Sequence, residues 1–325
     1  MRRIQLVISI AIFIFFSACN KGPNNNNNTL VVGIHSWPGI GPVFIGEEKG
    51  FFKEEGIDLK LRTIENFDTK RSALVSGQID VDMGNTLDQL LIYRENNFDA
   101  TIFAVEDFSR GGDGIVAKAN IKTLHDLVGK TVSYGEASPS DFFLRYLLKQ
   151  NNIPADSVKL KPVSDAQIAG NAILAEQVDA AVTFDPWLTQ SKSNTNLHVL
   201  VSTATYPNLI PGLLIANKKA LDERKDVFVR FTRAWFKSVD YYYAHHDEGA
   251  AIIARRMNIK PEELEGVLSS IHILTQAENL AAYDTTKPEN ISLLLSNINI
   301  FWKDNGFVKK NFDVKLLQDE RFVKP

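Results

Sequence analysis

A nine-residue pattern that closes a helix and opens a strand occurs twice in this chain, ninety-nine positions apart. The first copy is Ala73-Leu74-Val75-Ser76-Gly77-Gln78-Ile79-Asp80-Val81, and the second is Ala172-Ile173-Leu174-Ala175-Glu176-Gln177-Val178-Asp179-Ala180. Such an echo constrains the fold to two similar halves. Each copy leads into a polar loop, Asn85-Thr86-Leu87-Asp88 in one and Asp185-Pro186-Trp187 in the other. Upstream, Leu30–Ile34 is a short apolar run fit for a buried strand, and Pro42 to Lys49 reads as helical. Ile57-Asp58-Leu59-Lys60-Leu61 alternates as a half-exposed strand does. Strand, helix, strand in that order predicts an α/β fold with mostly parallel pairing.

Later segments extend the pattern. Thr131-Val132-Ser133 and Ala180–Thr183 read as strands, and Phe142 to Gln150 as an apolar helix. Ser138 or Ser140 is placed to cap that helix, leaving first-turn amides free for a ligand. Phe228, Phe231, Trp235 and Val239 share one helical face, which predicts core packing.

The amino terminus carries an address. Arg2 and Arg3 precede an apolar run from Leu6 to Phe16, followed by Ser17-Ala18-Cys19. A basic start, a run of ~7–15 apolar residues and a small-residue exit form a secretory signal, too short to span a bilayer at ~20 residues. The exit resembles a bacterial lipoprotein cleavage site, which implies a lipid on Cys19 and a signal peptide of residues 1–18. Ordinary cleavage with an incidental thiol is the alternative. Residues 19–28, with their asparagine run, read as a flexible tether. Cys19 is the sole cysteine of 325 residues, so disulfide frameworks and cysteine-based zinc clusters are excluded. The net charge of −3 gives no nucleic-acid footprint.

Chemistry-bearing motifs are sparse. The six histidines form no H-E-x-x-H pair, and no G-x-S-x-G elbow or phosphate loop occurs. No metal or cofactor is expected, and nothing in the sequence calls for an enzyme. What stands out is polar and aromatic residues gathered after apolar strands: Trp37; Thr86 and Asp88; Asp107, Ser109 and Asp113; Glu136, Ser138 and Ser140; Asp185 and Trp187. Ligands of open α/β sheets bind outside the carboxyl ends of strands, so these residues are the candidate binding set.

Several blocks carry a family resemblance. Ser36-Trp37-Pro38-Gly39, the run from Gly46 to Ile57, Leu74–Asp80, Asp126–Val132 and Val178–Thr183 resemble substrate-binding proteins of ABC importers. The type is that of nitrate, sulfonate and taurine binders, related to thiamine-pyrimidine binders. The resemblance implies a type II periplasmic-binding-protein fold of two hinged lobes, residues 29–117 plus 216–325 and residues 118–215. Pro211–Ile215 would be the return crossing. It further implies a small-molecule solute and a membrane permease as partners, an extracytoplasmic lipid-anchored location, and a monomer. Ser109-Arg110-Gly111-Gly112-Asp113-Gly114 resembles a Ser-x-Gly-Ala-Asp-Gly-like motif of one subset, with Gly112 where that motif has Ala.

The candidate loops hold five carboxylates, at Asp88, Asp107, Asp113, Glu136 and Asp185, against one arginine, Arg110. Carboxylates repel an anion and suit a cationic or amino-bearing ligand, with Trp37 or Trp187 stacking on it. A guanidinium, amidine or aminopyrimidine fits that description; nitrate, taurine or an alkanesulfonate is the alternative. An enzyme resembling thiamine-pyrimidine synthases, or a sensor on the same fold, is the reading from another class.

Overall fold

The computed structural model describes residues 28–288 and 290–324. The signal segment, Cys19 and all but the last residue of the expected tether lie outside the described residues.

Among the described residues, eleven strands form two sheets. They are β1 Thr29–Ile34, β2 Asp58–Thr63, β3 Val81–Asn85, β4 Ala100–Ser109, β5 Asp113–Lys118, β6 Thr131–Gly135, β7 Lys159–Val163, β8 Ala180–Phe184, β9 Leu197–Ser202, β10 Pro211–Asn217 and β11 Ile271–Ile273. The first sheet runs β11-β4-β10-β3-β1-β2 and the second β7-β6-β8-β5-β9. Within them, β2-β1-β3 and β7-β6-β8 are equivalent parallel trios. Their last strands follow the helices Phe67–Val75 and Ala166–Leu174.

The nine-residue echo is the joint of each trio. The Asp80 amide donates to the Val31 carbonyl at 2.7 Å, and its Oδ2 accepts from the Val31 amide at 2.8 Å. Asp179 does the same with Thr131, at 2.9 Å in both directions. Each aspartate also holds a cation, Arg224 at 2.7 Å for Asp80 and Lys118 at 3.1 Å for Asp179. One side chain thereby fixes the register of two strands.

Both sheets are mixed. Parallel pairing is confined to the trios, while β5 and β10 add antiparallel neighbours on both sides. The crossings differ from the expected boundaries. β5 pairs with β8 and β9 in the second sheet, so the chain crosses at residues 110–112 rather than after 117. Pro211–Asn217 is a strand of the first sheet, and the return crossing is residues 203–210. Apolar runs such as Ile115-Val116-Ala117 read alike in either sheet, which hides the switch.

The two crossings are tied together. Ser109 Oγ and Thr203 Oγ1 share a hydrogen bond of 2.7 Å, and Thr203 Oγ1 accepts from the Gly111 amide at 2.8 Å. Gly111 has φ 134°, a conformation that favours glycine. After β10, the chain packs helices on the first sheet. Lys225–Ala244 buries Phe228, Phe231, Trp235 and Val239, with Phe103 and Phe228 edge to face at 5.5 Å.

Hydrogen bonds and ring contacts close the lobes on each other. Asn66 Nδ2 donates to the Ser164 carbonyl at 2.8 Å, and Gln89 Nε2 to the Ala137 carbonyl at 2.7 Å. Ser270 Oγ donates to Asp185 Oδ2 at 2.9 Å. Phe142, on the helix Pro139–Gln150, packs against Phe301 of the helix Ile291–Asp304 with ring centroids 5.8 Å apart.

Candidate ligand-binding cleft

The carboxyl ends of β1, β3 and β8 and the strands flanking the first crossing converge on one cavity. β1 delivers His35 and Trp37, β3 delivers Gly84 and Thr86, and β8 ends in Phe184. β4 supplies Asp107, β5 begins with Asp113, the return crossing adds Ile210 and β10 adds Gly212. Phe67 and Pro139, each the first residue of a helix, complete the wall. The cavity holds about 290 Å³ of unfilled space including its mouth. The space open to the centre of a water-sized sphere is about 20 Å³, room for about one water at ~10–15 Å³ each, so the lobes must part to admit a solute.

Two carboxylates dominate its chemistry. Asp107 Oδ2 accepts from Trp37 Nε1 at 2.8 Å, while Oδ1 is buried with no hydrogen bond. Asp113 Oδ2 is likewise buried and unpartnered. Burial pushes both carboxyls up to about 7, and for Asp113 the charges of Asp107, Asp185 and Asp88 add to the rise. Behind them Glu106 Oε1 accepts from the Gly84 amide at 2.8 Å, and its Oε2 has no partner. Burial and the neighbouring Asp107 hold the Glu106 carboxyl well above its ordinary range. Close approach is built in at Gly39, where a Cβ would lie 2.0 Å from Asp107 Oδ2. No lysine or arginine lines the cavity.

The other walls are aromatic. Trp37 meets Phe184 edge to face at 5.9 Å. His35 stands 5.0 Å from Phe67 and 5.8 Å from Phe184. Behind His35, Lys70 and Asp82 form a buried ion pair of 2.9 Å, with side chains 1% exposed. Burial and the Lys70 charge hold the His35 pKa well below its ordinary value. Rings and carboxylates thus share the walls of one small enclosed space.

Of the residues singled out in the sequence, Trp37, Thr86, Asp107 and Asp113 line this cavity. Asp88 does not; it is buried at the start of the helix Leu87–Glu95, accepting from Thr86 Oγ1 at 2.6 Å and Gln89 Nε2 at 2.9 Å. Ser109 belongs to the knot between the crossings, its Oγ also accepting from the Asp113 amide at 3.1 Å. Glu136 is exposed, because the chain turns at Ala137 (φ 47°) and carries it away from the cleft. Ser138 occupies the cap position of the helix Pro139–Gln150, but its hydroxyl donates to the Gly135 carbonyl at 2.7 Å instead of capping. Ser140 Oγ is buried without a partner, and it is not on the cavity wall. Asp185 caps the Thr189 amide at 2.9 Å and bridges to Ser270. Trp187 packs behind the wall on Phe184, at 5.2 Å between centroids.

Sequence reasoning missed His35, Phe67 and Phe184, along with the Glu106 carboxyl and the Lys70–Asp82 pair behind them. A signal existed for one: His35 directly follows β1, as Thr86 follows β3. Lys70, in the helix that the echo closes, carried none. Among the described residues, no cluster of histidine and carboxylate side chains has metal-holding geometry, and no helix is long and apolar enough to cross a membrane.

Known proteins share this architecture. The family model described as NMT1/THI5 like matches residues 37–249. A Bacillus subtilis protein whose name assigns it to aliphatic-sulfonate binding is 22% identical over 330 residues, covering 98% of this chain and 95% of its own. The periplasmic aliphatic sulphonate-binding protein SsuA of Escherichia coli superposes with a TM-score of 0.73 at 17% identity, over 89% of this chain and 97% of that one. The alkanesulfonate-binding protein of Xanthomonas axonopodis pv. citri, bound to MOPS, gives 0.75 at 13% identity, over 90% and 98%. At such identities the superpositions show the fold, that of two-lobed periplasmic binding proteins.

Proposed function

Because this chain belongs to the NMT1/THI5-like family, we propose that it is an extracytoplasmic binding lipoprotein that captures a small cationic nitrogen compound and delivers it to an ABC importer. The observation that carries the ligand reading is the pair Asp107 Oδ1 and Asp113 Oδ2, two buried and unpartnered carboxylate oxygens on an aromatic-walled cavity without a basic residue. Buried carboxylates in that state are costly, and a guanidinium, amidine or protonated amine satisfies both at once. The lobes close on the solute as a hinge at the knotted crossings. The role is capture and hand-over rather than catalysis, by a monomer held to the membrane through lipid on Cys19. Stable anchoring takes more than one acyl chain.

Anion binding is the second reading. The helix Leu87–Glu95 begins at Thr86 without a side-chain cap, so its first amides are available to an oxyanion. Pro139–Gln150 also starts uncapped, but Pro139 has no N–H and the Asp141 amide is bonded to the Ser138 carbonyl. Relatives named for sulfonate binding favour it. Calorimetric titration of delipidated protein with methylguanidine, 4-aminopyrimidine, taurine and nitrate separates the two. Binding of a cation at pH 8 is expected. Binding of nitrate or taurine alone would overturn it. Loss of membrane partitioning in Cys19→Ala tests the anchor.

A further inference from the structure

Lys70 Nζ lies 2.9 Å from Asp82 Oδ1, 3.0 Å from the Met83 carbonyl and 3.1 Å from His35 Nδ1. An ammonium has three donors and no acceptor, so Lys70 donates to the Met83 carbonyl and to Nδ1 of His35 while pairing by charge with Asp82. Nδ1 of His35 is therefore an acceptor, and the imidazole proton sits on Nε2. The Nδ1–Cε1 edge is also the edge packed on β3: a Cβ on Gly84 would approach Cε1 to 2.6 Å and Nδ1 to 3.0 Å. Among the described residues Nε2 has no hydrogen-bond partner, and His35 lines the cavity. The cleft thus carries acceptors at Asp107 and Asp113 and one oriented donor on the wall formed by His35.

We infer that His35 Nε2–H hydrogen-bonds an acceptor atom of the bound solute, so that the solute carries a carbonyl oxygen or an unprotonated ring nitrogen beside its cationic group. The inference rests on the cation reading of the cleft and narrows it. Simple alkylammonium and alkylguanidinium ions leave the imidazole N–H dry and unpaired; an acylguanidine or a ring amidine pairs it. Lys70 and Asp82 are positioning residues, acting on the solute only through the tautomer they impose.

Methylguanidine and acetylguanidine are a probe pair in which the second adds a carbonyl to the same cationic group. Titration of the mature protein is expected to favour acetylguanidine by about tenfold, the scale of one buried hydrogen bond. His35→Phe should cut that preference to within about twofold, the ratio of the two affinities being the reading rather than either affinity alone. Long-range proton–nitrogen NMR of the ligand-free protein supplies a reading that needs no variant, and should show His35 as the Nε2–H tautomer. Equal binding of the two probes by the unchanged protein, an equal loss of both in His35→Phe, or an Nδ1–H tautomer would each overturn the inference alone. Binding of neither probe overturns the cation reading, and this inference with it.

Discussion

Trp37 Nε1 donates to Asp107 Oδ2 across 2.8 Å, and that is the side-chain hydrogen bond the carboxylate receives. The bond turns Asp107 so that one oxygen is spent and the other, Oδ1, is left for a solute. Trp37 is thus both a wall of the cleft and the orienter of its acceptor.

Replacing Trp37 with Phe keeps a ring and deletes the donor. Asp107 then loses its side-chain donor in a buried site, which costs about 1–3 kcal/mol. Urea unfolding at pH 8 should show a loss of that size. At pH 5, where the carboxyl is protonated in the fold, the loss should shrink. Equal loss at both pH values would mean the indole contributes only packing.

The carboxyls also set a pH dependence with a definite sign. Asp107 and Asp113 rise to about 7 in the fold, while an unfolded aspartate titrates near ~3.9. Between those values the folded state holds more protons, so stability falls as pH rises from about 4 to about 7. Asp113→Asn should flatten part of this slope, raise the melting temperature at pH 8, and weaken cation binding by at least about tenfold. A variant that melts lower at pH 8 would show that the Asp113 charge is satisfied in the free protein. A cationic solute that lowers these pKa values should also release protons on binding near pH 6.5, measurable by calorimetry in buffers of different ionisation enthalpy.

Lys70→Met tests the ion pair behind the cleft. Asp82 would keep the Tyr93 hydroxyl at 2.6 Å and the Asn85 amide, but no cation. Removing one partner of a buried pair costs about 3–5 kcal/mol, whereas removing both is milder. Thermal melts should therefore show Lys70→Met/Asp82→Asn recovering much of what Lys70→Met loses.

What the sequence made legible follows from where the physics is local. The echo at Asp80 and Asp179 could be read because a helix end, a polar turn and a strand start are contiguous, and both aspartates do the same job. Trp37 and Thr86 could be read because they follow apolar strands, and Asp107 because it lies late in β4; Asp113 instead opens β5 after the crossing. Glu136 was misplaced because one turn at Ala137 decides its direction. Asp185 was misplaced because its partner, Ser270, is 85 residues away. The crossings were blurred because burial on both faces makes β5 and β10 plain apolar runs, whichever sheet they join.

Gly112 stands where the resembled motif carries alanine, and the structure gives the reason. A Cβ at Gly112 would lie 2.7 Å from Trp37 Cη2 and 3.2 Å from Ser270 Oγ. The indole cannot retreat freely, since Nε1 is held by Asp107 and its edge abuts Phe184. Gly112→Ala should therefore push Trp37 inward, cost about 1–3 kcal/mol as overpacking does, and weaken solute binding. A benzyl ring lacks the Cη2 atom that clashes, so Trp37→Phe should relieve the added strain. In a double-mutant cycle by urea unfolding, Gly112→Ala should cost clearly less in the Trp37→Phe background than alone. Additive losses would mean that Gly112 serves the crossing backbone and not the Trp37 ring.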